Sequence, residues 1–407
     1  MSISQFLILV INSGSSSLKF TLLPANGDRP LFSGIAERLG TDGTASLTLK
    51  RGASTFIEPL AEGTHAQALQ MILMHLRRNG WLAHVAVVGH RVVHGGERFA
   101  TSVRITPEVI RDIEAVSALA PLHNSSNLLG IRCCMEDLPS IPQVAVFDTA
   151  FHQTLPRGAY TYSIPQRFYR EHGIRRYGFH GTSIRYVSAK AVELLGLDPD
   201  DHGLVIAHLG NGASASSVQD GKCVDTSMGM TPLEGLVMGT RSGDLDVGAA
   251  AQIGRIAGLD LAGVEMLLNR ESGLLGVSEL SSDCRALETA AEAGHPGATL
   301  ALEVFVHRLA RYVGALATSL RRLDAVVFTG GIGENSARVR AMTLRHLGIF
   351  NLVLDESANQ YAVRGMSGRI DQGYGTQAWV IPTDEEAVIA RDAAWLAGLG
   401  ESQSRIE

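Results

Sequence analysis

Two arginines, an aspartate, a histidine and three glycine-rich turns are the parts of this chain whose types and spacing could do chemistry. Arg91 stands in Gly89-His-Arg-Val-Val-His94 and Arg241 in Gly239-Thr-Arg-Ser-Gly243, stretches in which a side chain can stand clear of its neighbours. A guanidinium stays charged, and its fork grips carboxylate or phosphate oxygens in pairs. Taken alone, either arginine reads more readily as half of a surface ion pair. Asp148 follows the apolar run Val144–Phe147, and α/β sheets keep their sites at the carboxyl ends of strands. Its bland reading is a turn or cap. His180, in Phe179-His-Gly-Thr182, is of the type that donates a hydrogen bond to oxygens gathering charge. Asn12-Ser-Gly-Ser-Ser-Ser-Leu-Lys19 offers closely spaced amides and small side chains, a pattern that binds anions. It is not a Gly-x-x-x-x-Gly-Lys-Ser/Thr loop, and Gly331-Ile-Gly333-Glu-Asn-Ser336 misses the last glycine of Gly-x-Gly-x-x-Gly. Any one of these loops by itself is a tight turn.

The elements that would position these groups are strand-like runs ending in small-residue turns. Phe6–Ile11 leads through Asn12–Lys19 to Phe20–Leu23, and Leu204–Ala207 leads through His208-Leu-Gly-Asn-Gly-Ala-Ser214 to Ala215–Val218. Each is a hairpin signal. Ala325–Phe328 runs into Thr329-Gly-Gly-Ile-Gly-Glu-Asn335. The first two runs echo one another nearly half a chain apart, which points to two related halves. Apolar residues at helical spacing predict helices over 66–78, 180–195 (opened by Gly-Thr-Ser), 300–323 and 385–399. Interleaved strands and helices make the class α/β.

Composition narrows the function classes. A chain of 407 residues exceeds what one core usually serves, and 45% hydrophobic with 19% charged residues describes a folded globular protein. Net charge is −6 with no long basic run, so neither nucleic acid nor an anionic membrane is an expected partner. No apolar stretch approaches the roughly 20 residues of a spanning helix, and the start lacks a signal pattern. Cys133, Cys134, Cys223 and Cys284 read as free thiols in a reducing compartment. The histidines do not show zinc-ligand spacing.

The three turns, taken with their flanking strands, resemble the phosphate-1, phosphate-2 and adenosine segments of the acetate and sugar kinase, heat-shock cognate and actin superfamily. Within it the chain resembles the acetokinase family. Gly89–Glu97, Phe147–His152, Arg176–Ser183, Met230–Asp244 and Pro382–Glu386 match that family's segments in order, over residues 8 to 390. The resemblance implies two related domains of actin-like ATPase (ribonuclease H-like) fold with the active site in the cleft between them. The boundaries are 1–150 plus 385–407 for the acyl and metal side and 151–384 for the nucleotide side. The activity implied is reversible, magnesium-dependent transfer of a phosphoryl group between ATP and acetate. Manganese is an expected substitute for magnesium, acetyl phosphate and ADP are the products, and the expected state is a cytoplasmic homodimer.

The same resemblance assigns residues. Arg91 holds substrate, Arg91 and Arg241 flank the transferring phosphoryl, His180 contacts it, and Asp148 orients substrate, metal or Arg91. Asn12 and Glu385 match the metal positions, so the C-terminal helix is expected to fold back on the N-terminal domain. Lys19, His208-Leu209-Gly210-Asn211-Gly212, Asp283-Cys284-Arg285 and Gly331-Ile332-Gly333-Glu334-Asn335 match nucleotide-binding positions. Val93, Leu122, Phe179 and Pro232 match the acyl pocket, with His123 in support. A valine at 93 implies acetate over propionate, a discrimination of about 1–3 kcal/mol per methylene. Asp244 and Asp246 read as cap and arginine-positioning groups rather than a metal pair. Two departures from the family pattern, Ser125 and Val247 where proline is usual, put the loops around His123 and after Arg241 in doubt. The alternatives are a propionate or butyrate kinase, and an ATP-driven clamp of the actin or heat-shock kind.

Overall fold

The computed structural model describes residues 6–399 other than 28 and 42; the side chains of Pro121 and Leu122 also lie outside the described residues. The chain divides into two compact units, Met1–Ala150 with Asp384–Glu407, and Phe151–Thr383. No helix among the described residues is long and apolar enough to cross a membrane.

The first unit is built on strands β1 (Leu7–Ser13), β2 (Ser17–Pro24), β3 (Phe32–Glu37), β4 (Ser46–Arg51), β5 (Ser54–Pro59), β6 (Val85–Val92), β7 (Val103–Arg104) and β8 (Gln143–Phe147), in the order β5-β4-β3-β2-β1-β6-β8-β7. β1, β2 and β3 run antiparallel, while β1, β6 and β8 are parallel. The parallel strands are buried on both faces, which is why they read as continuous Val, Ile and Leu rather than alternating. One face of β1 (Leu7, Leu9, Ile11) packs on the helices His65–Arg78 and Pro121–Asp137. The other face (Ile8, Val10) packs with Ile389, Ala390, Ala393 and Ala394 of the C-terminal helix Glu385–Leu396, so the chain's last helix lies on its first sheet.

The second unit carries β9 (Gly203–Leu209), β10 (Ala213–Gln219), β11 (Lys222–Thr226), β12 (Ala325–Thr329), β13 (Gly368–Arg369) and β14 (Gln377–Val380), in the order β11-β10-β9-β12-β14-β13. β9, β10 and β11 are antiparallel; β9, β12 and β14 are parallel; β13 is a short antiparallel edge, as β7 is in the first unit. The succession β3-β2-β1-β6-β8-β7 of the first sheet is therefore repeated in the second. This is the relation expected of two related domains of an α/β, actin-like ATPase fold.

The first two turns are hairpins, and the third is not. Thr329 ends β12 and the chain enters a short helix, Gly330–Asn335, then a second, Ala337–His346. The apolar segment around 300–323 is the helix Pro296–Ala317, whose Leu302, Phe305, Val306, Leu309, Val313 and Leu316 are all buried. The helix Gly181–Leu195 does not use Gly-Thr-Ser as a cap. Its N-cap is His180 itself, in the left-handed region with φ 60°.

Candidate active site

In the first unit the candidate groups stand at the carboxyl ends of the parallel strands. Asn12 is the penultimate residue of β1 and pairs across the hairpin with Lys19. Arg91 is the penultimate residue of β6, beside the Ile11–His90 register pair. Asp148 follows β8. Asp148 is 1% exposed, and it accepts from Arg91 Nε (3.0 Å to Oδ1) and Nη2 (2.6 Å to Oδ2). Glu385, first residue of the C-terminal helix, lies 4.0 Å from Arg91 Nε. The two carboxylates raise the guanidinium's pKa against the cost of its burial. Glu385 is pushed up to about 7 by burial, with Asp148 and Glu386 adding to the rise and Arg91 and Lys19 opposing it. Lys19 bonds to Glu386, which puts this lysine among the first unit's acids.

Hard oxygen donors with surplus negative charge suit a divalent cation such as magnesium. Asn12, near the carboxyl end of β1, has a side-chain oxygen of this kind, and Glu385, at the start of the C-terminal helix, has a largely buried carboxylate. Asn127 ties the carboxyl ends of β1 and β6 together. Its Oδ1 accepts from Val93 N (3.0 Å) and its Nδ2 donates to Ser13 O (2.7 Å). Val93 is partly buried, and His123 lies in the first turn of the helix Pro121–Asp137. The Leu122 side chain falls outside the described residues. Ser125 is exposed on that same helix, so the missing proline alters a helical turn and not a loop.

In the second unit His180, His208, the β9–β10 turn and Arg241 come together. The His180 and His208 rings stack with centroids 4.3 Å apart. His180 Nδ1 meets Ser214 Oγ at 3.0 Å, and His208 Nδ1 meets Ser183 Oγ at 2.8 Å, which in turn meets Thr383 Oγ1 at 2.8 Å. A methyl group built on Gly212 would lie 3.4 Å from Arg241 Nη1 and 3.5 Å from His180 Nε2. Both donors therefore approach the turn at Gly212 to within ordinary contact distance of where a side chain would begin. A non-glycine residue in the left-handed region is strained, and such strain collects at functional sites.

Arg241 differs from Arg91. Its Nη1 donates to Pro232 O (3.1 Å) and touches Met238 Sδ (3.6 Å). Among the described residues it forms no ion pair, and desolvation alone lowers its pKa from the ordinary value. Most of its five donors remain for an anion. Asp244 does not position it. Asp244 accepts from Gly235 N (2.8 Å) and Tyr312 Oη (2.6 Å) and faces Arg308, while Asp246 caps the helix Val247–Ala257. Val247 is that helix's first residue, where proline is common because its N–H has no partner to lose. The loop still ends in a capped helix without it.

A pocket of about 660 Å³ opens beside this cluster, lined by Gly210, Asn211, Asp283, Cys284, Arg285, Glu288, Gly331, Ile332 and Asn335. Its size is ordinary for a small-molecule site. Three segments separated by some seventy and fifty residues in sequence thus share one cavity. Asp283 also caps the helix Cys284–Glu292 and pairs with Arg285. Leu209, Gly333 and Glu334 do not line the cavity. Leu209 and Gly333 are buried, and Glu334 Oε1 accepts from Gly330 N (2.9 Å) and Thr383 N (3.1 Å), stitching β12 to the segment after β14. Phe179 is 1% exposed, and Pro232 sits in the loop that meets Arg241.

The sequence reading missed Ser183, Ser214, Asn127 and Glu386. Each is bland in isolation, and only tertiary contact gives it a partner. For Ser214 a signal existed, since a small polar residue two beyond Gly212 in a hairpin faces the same side as the turn.

The family model described as the Acetokinase family matches residues 7–391. A protein of Chromobacterium violaceum named acetate kinase is 51% identical over 392 residues, 96% of this chain and 98% of that one. One of Yersinia enterocolitica named propionate kinase is 52% identical over 387 residues, 95% of this chain and 94% of that one. The crystal structure of a propionate kinase from Francisella tularensis superposes with a TM-score of 0.92 at 40% identity, covering 96% of this chain and all of that one.

Proposed function

The chain belongs to the acetokinase family, and from that premise we propose that it transfers the γ-phosphoryl group of ATP to acetate, reversibly, by direct in-line displacement. An oxygen of the acetate carboxylate bonds to phosphorus as the bond from phosphorus to the β–γ bridging oxygen breaks. Acetyl phosphate and ADP result, and no proton need move. Such a transition state is loose, with charge spread over three equatorial oxygens. The observation that carries the reading is Arg241, a desolvated guanidinium without a carboxylate partner among the described residues, converging with His180 on the glycine turn at Gly212.

Roles divide accordingly. Arg241 and His180 Nε2 donate to the equatorial oxygens. Arg91, held in one orientation by Asp148, binds the acetate carboxylate and the phosphoryl group. The cavity at Gly210–Asn211, Asp283–Arg285 and Gly331–Asn335 takes the adenosine, and Lys19 serves the nucleotide phosphates. Asn12 and Glu385 would hold magnesium, or manganese in its place, which supplies charge neutralisation on the nucleotide phosphates. Val93, Leu122, Phe179 and Pro232 form the acyl pocket, with His123 in support. The functional domains divide at about 150 and 384.

Relatives named for acetate and for propionate are equally similar to this chain, so propionate is the second reading. Val93 favours the shorter acid. Comparing kcat/KM for the two acids in a coupled or hydroxamate assay with ATP tests both, and propionate winning would overturn the first. The homodimer belongs to the same proposal. Val247, Ile256, Leu261 and Met266, on the helix pair Val247–Ala257 and Leu261–Arg270, are 83%, 76%, 86% and 60% exposed, and a second copy would cover them. Free thiols at all four cysteines suit a cytoplasmic setting.

A further inference from the structure

The loop Ser227–Gly235 carries Pro232, whose carbonyl holds Arg241, yet it contains neither helix nor strand. Something else must fix it. Two residues beyond Pro232, the Glu234 carboxylate is gripped from both sides: Oε2 accepts from Tyr162 Oη at 2.5 Å, and Oε1 accepts from Arg176 Nη2. Both partners also bind the loop's own backbone. Tyr162 Oη accepts from Met230 N at 2.8 Å, while Arg176 Nη1 donates to Ser227 O (3.1 Å) and Met228 O (2.9 Å). One three-residue cluster thus ties the loop at 227, 228, 230 and 234.

The fit over this cluster is close. A methyl group on Gly229 would fall 1.9 Å from Glu234 Oε2 and 2.2 Å from Tyr162 Oη. Gly229 O in turn accepts from Tyr177 N (3.1 Å) and Gly178 N (3.2 Å), on the stretch that delivers His180 two residues later. Burial, with the Glu234 carboxylate beside it, pushes the Tyr162 hydroxyl above its ordinary range and keeps it a donor at neutral pH. Arg176 and Glu234 are 17% and 32% exposed, dry enough for the pair to hold shape where a surface pair would not.

We infer that Glu234 is a positioning residue for both phosphoryl donors, setting Arg241 through the Pro232 carbonyl and His180 through Gly229, with Tyr162 and Arg176 as its anchors. The inference rests on the kinase reading above. It touches no nucleotide segment, so its signature is a loss in kcat with the KM for ATP unchanged. A guanidinium displaced by a fraction of an ångström loses transition-state contacts first.

The experiment is a double-mutant cycle between Glu234→Gln and Arg241→Ala, read as kcat and KM with ATP and acetate, beside the unfolding midpoint of each variant. Glu234→Gln is expected to lower kcat about tenfold or more at constant ATP KM. It should cost much less in the Arg241→Ala background, because its partner is gone. Glu234→Asp, which keeps the charge, should recover part of the loss. If Glu234→Gln proves too unstable to assay, Tyr162→Phe removes a single hydroxyl and carries the same cycle. Equal fold-losses in both backgrounds, or a loss confined to KM, would overturn the inference. A wild-type enzyme inactive on acetate and ATP would instead overturn the kinase reading.

Discussion

Arg91, near the end of β6, and Arg241, in the loop between β11 and the helix Val247–Ala257, hold the same guanidinium in opposite electrostatic settings. Arg91 meets Asp148 in two hydrogen bonds and has Glu385 at 4.0 Å, so its pKa is raised. Arg241 meets a carbonyl and a thioether, and its pKa is lowered. The first has its charge balanced and its orientation fixed before any ligand arrives. The second is left short of negative charge, the condition of a group that gains most when charge spreads over a transferring phosphoryl. Removing the two should therefore break different things. Loss of Arg241 should remove catalysis and leave stability, whereas loss of Arg91's partner should damage both.

The largest expected effect follows directly. Arg241→Ala should lower kcat by about 10³ or more, the magnitude of an arginine acting on a phosphoryl transition state, with an unfolding midpoint within a degree or two of wild type. Steady-state kinetics beside thermal unfolding checks both halves. Asp148→Asn comes next. It leaves Arg91 with Glu385, 4.0 Å away, as its remaining counter-charge and removes the carboxylate that orients it, and should cost about 3 kcal/mol in stability, together with a roughly 10²-fold fall in kcat from the loosened guanidinium. At roughly 2–4 °C per kcal/mol for a unit of this size, the midpoint should drop visibly. A stable Asp148→Asn would remove the contrast on which the comparison stands.

Val93→Ala should move the kcat/KM ratio of propionate over acetate upward by about tenfold, the worth of one methylene in an apolar pocket. The smallest effect concerns pH. His90, adjacent to Arg91 and 2% exposed, is lowered to about 4 by burial, against a hydrogen bond to Gln143 that favours its charged form. Its depressed value means the unfolded chain binds the proton first. The stability His90 contributes is complete above about pH 6.5 and is lost as pH falls toward 4, by at most about 3 kcal/mol. His90→Gln should flatten the urea-unfolding curve's pH dependence across that window.

The contrast between the arginines also marks what the sequence could show. Each glycine-flanked arginine was visible as a candidate, but its counter-charges were not. Asp148 could be read at a strand end, because a buried β-run closing on a carboxylate is a local pattern. The hairpins Leu7–Pro24 and Gly203–Gln219 were equally local, two β-type runs around small residues. The turn at Thr329–Asn335 became a helix because no second β-type run follows it. The left-handed His180 could not be read, since its strain is imposed by contacts with Ser214, His208 and the Gly229 carbonyl's neighbours. Glu234, Tyr162 and Arg176 are far apart in sequence and unremarkable singly, so their cluster exists only in the fold.

The most direct test of Arg241 as the waiting anion site uses nitrate, which shares the planar, three-oxygen shape of the transferring phosphoryl in a loose transition state. Inhibition by nitrate should be weak alone and strengthen sharply when magnesium, ADP and acetate are present together. In Arg241→Ala that strengthening should vanish while ADP binding persists. Equal strengthening in wild type and variant would contradict the account.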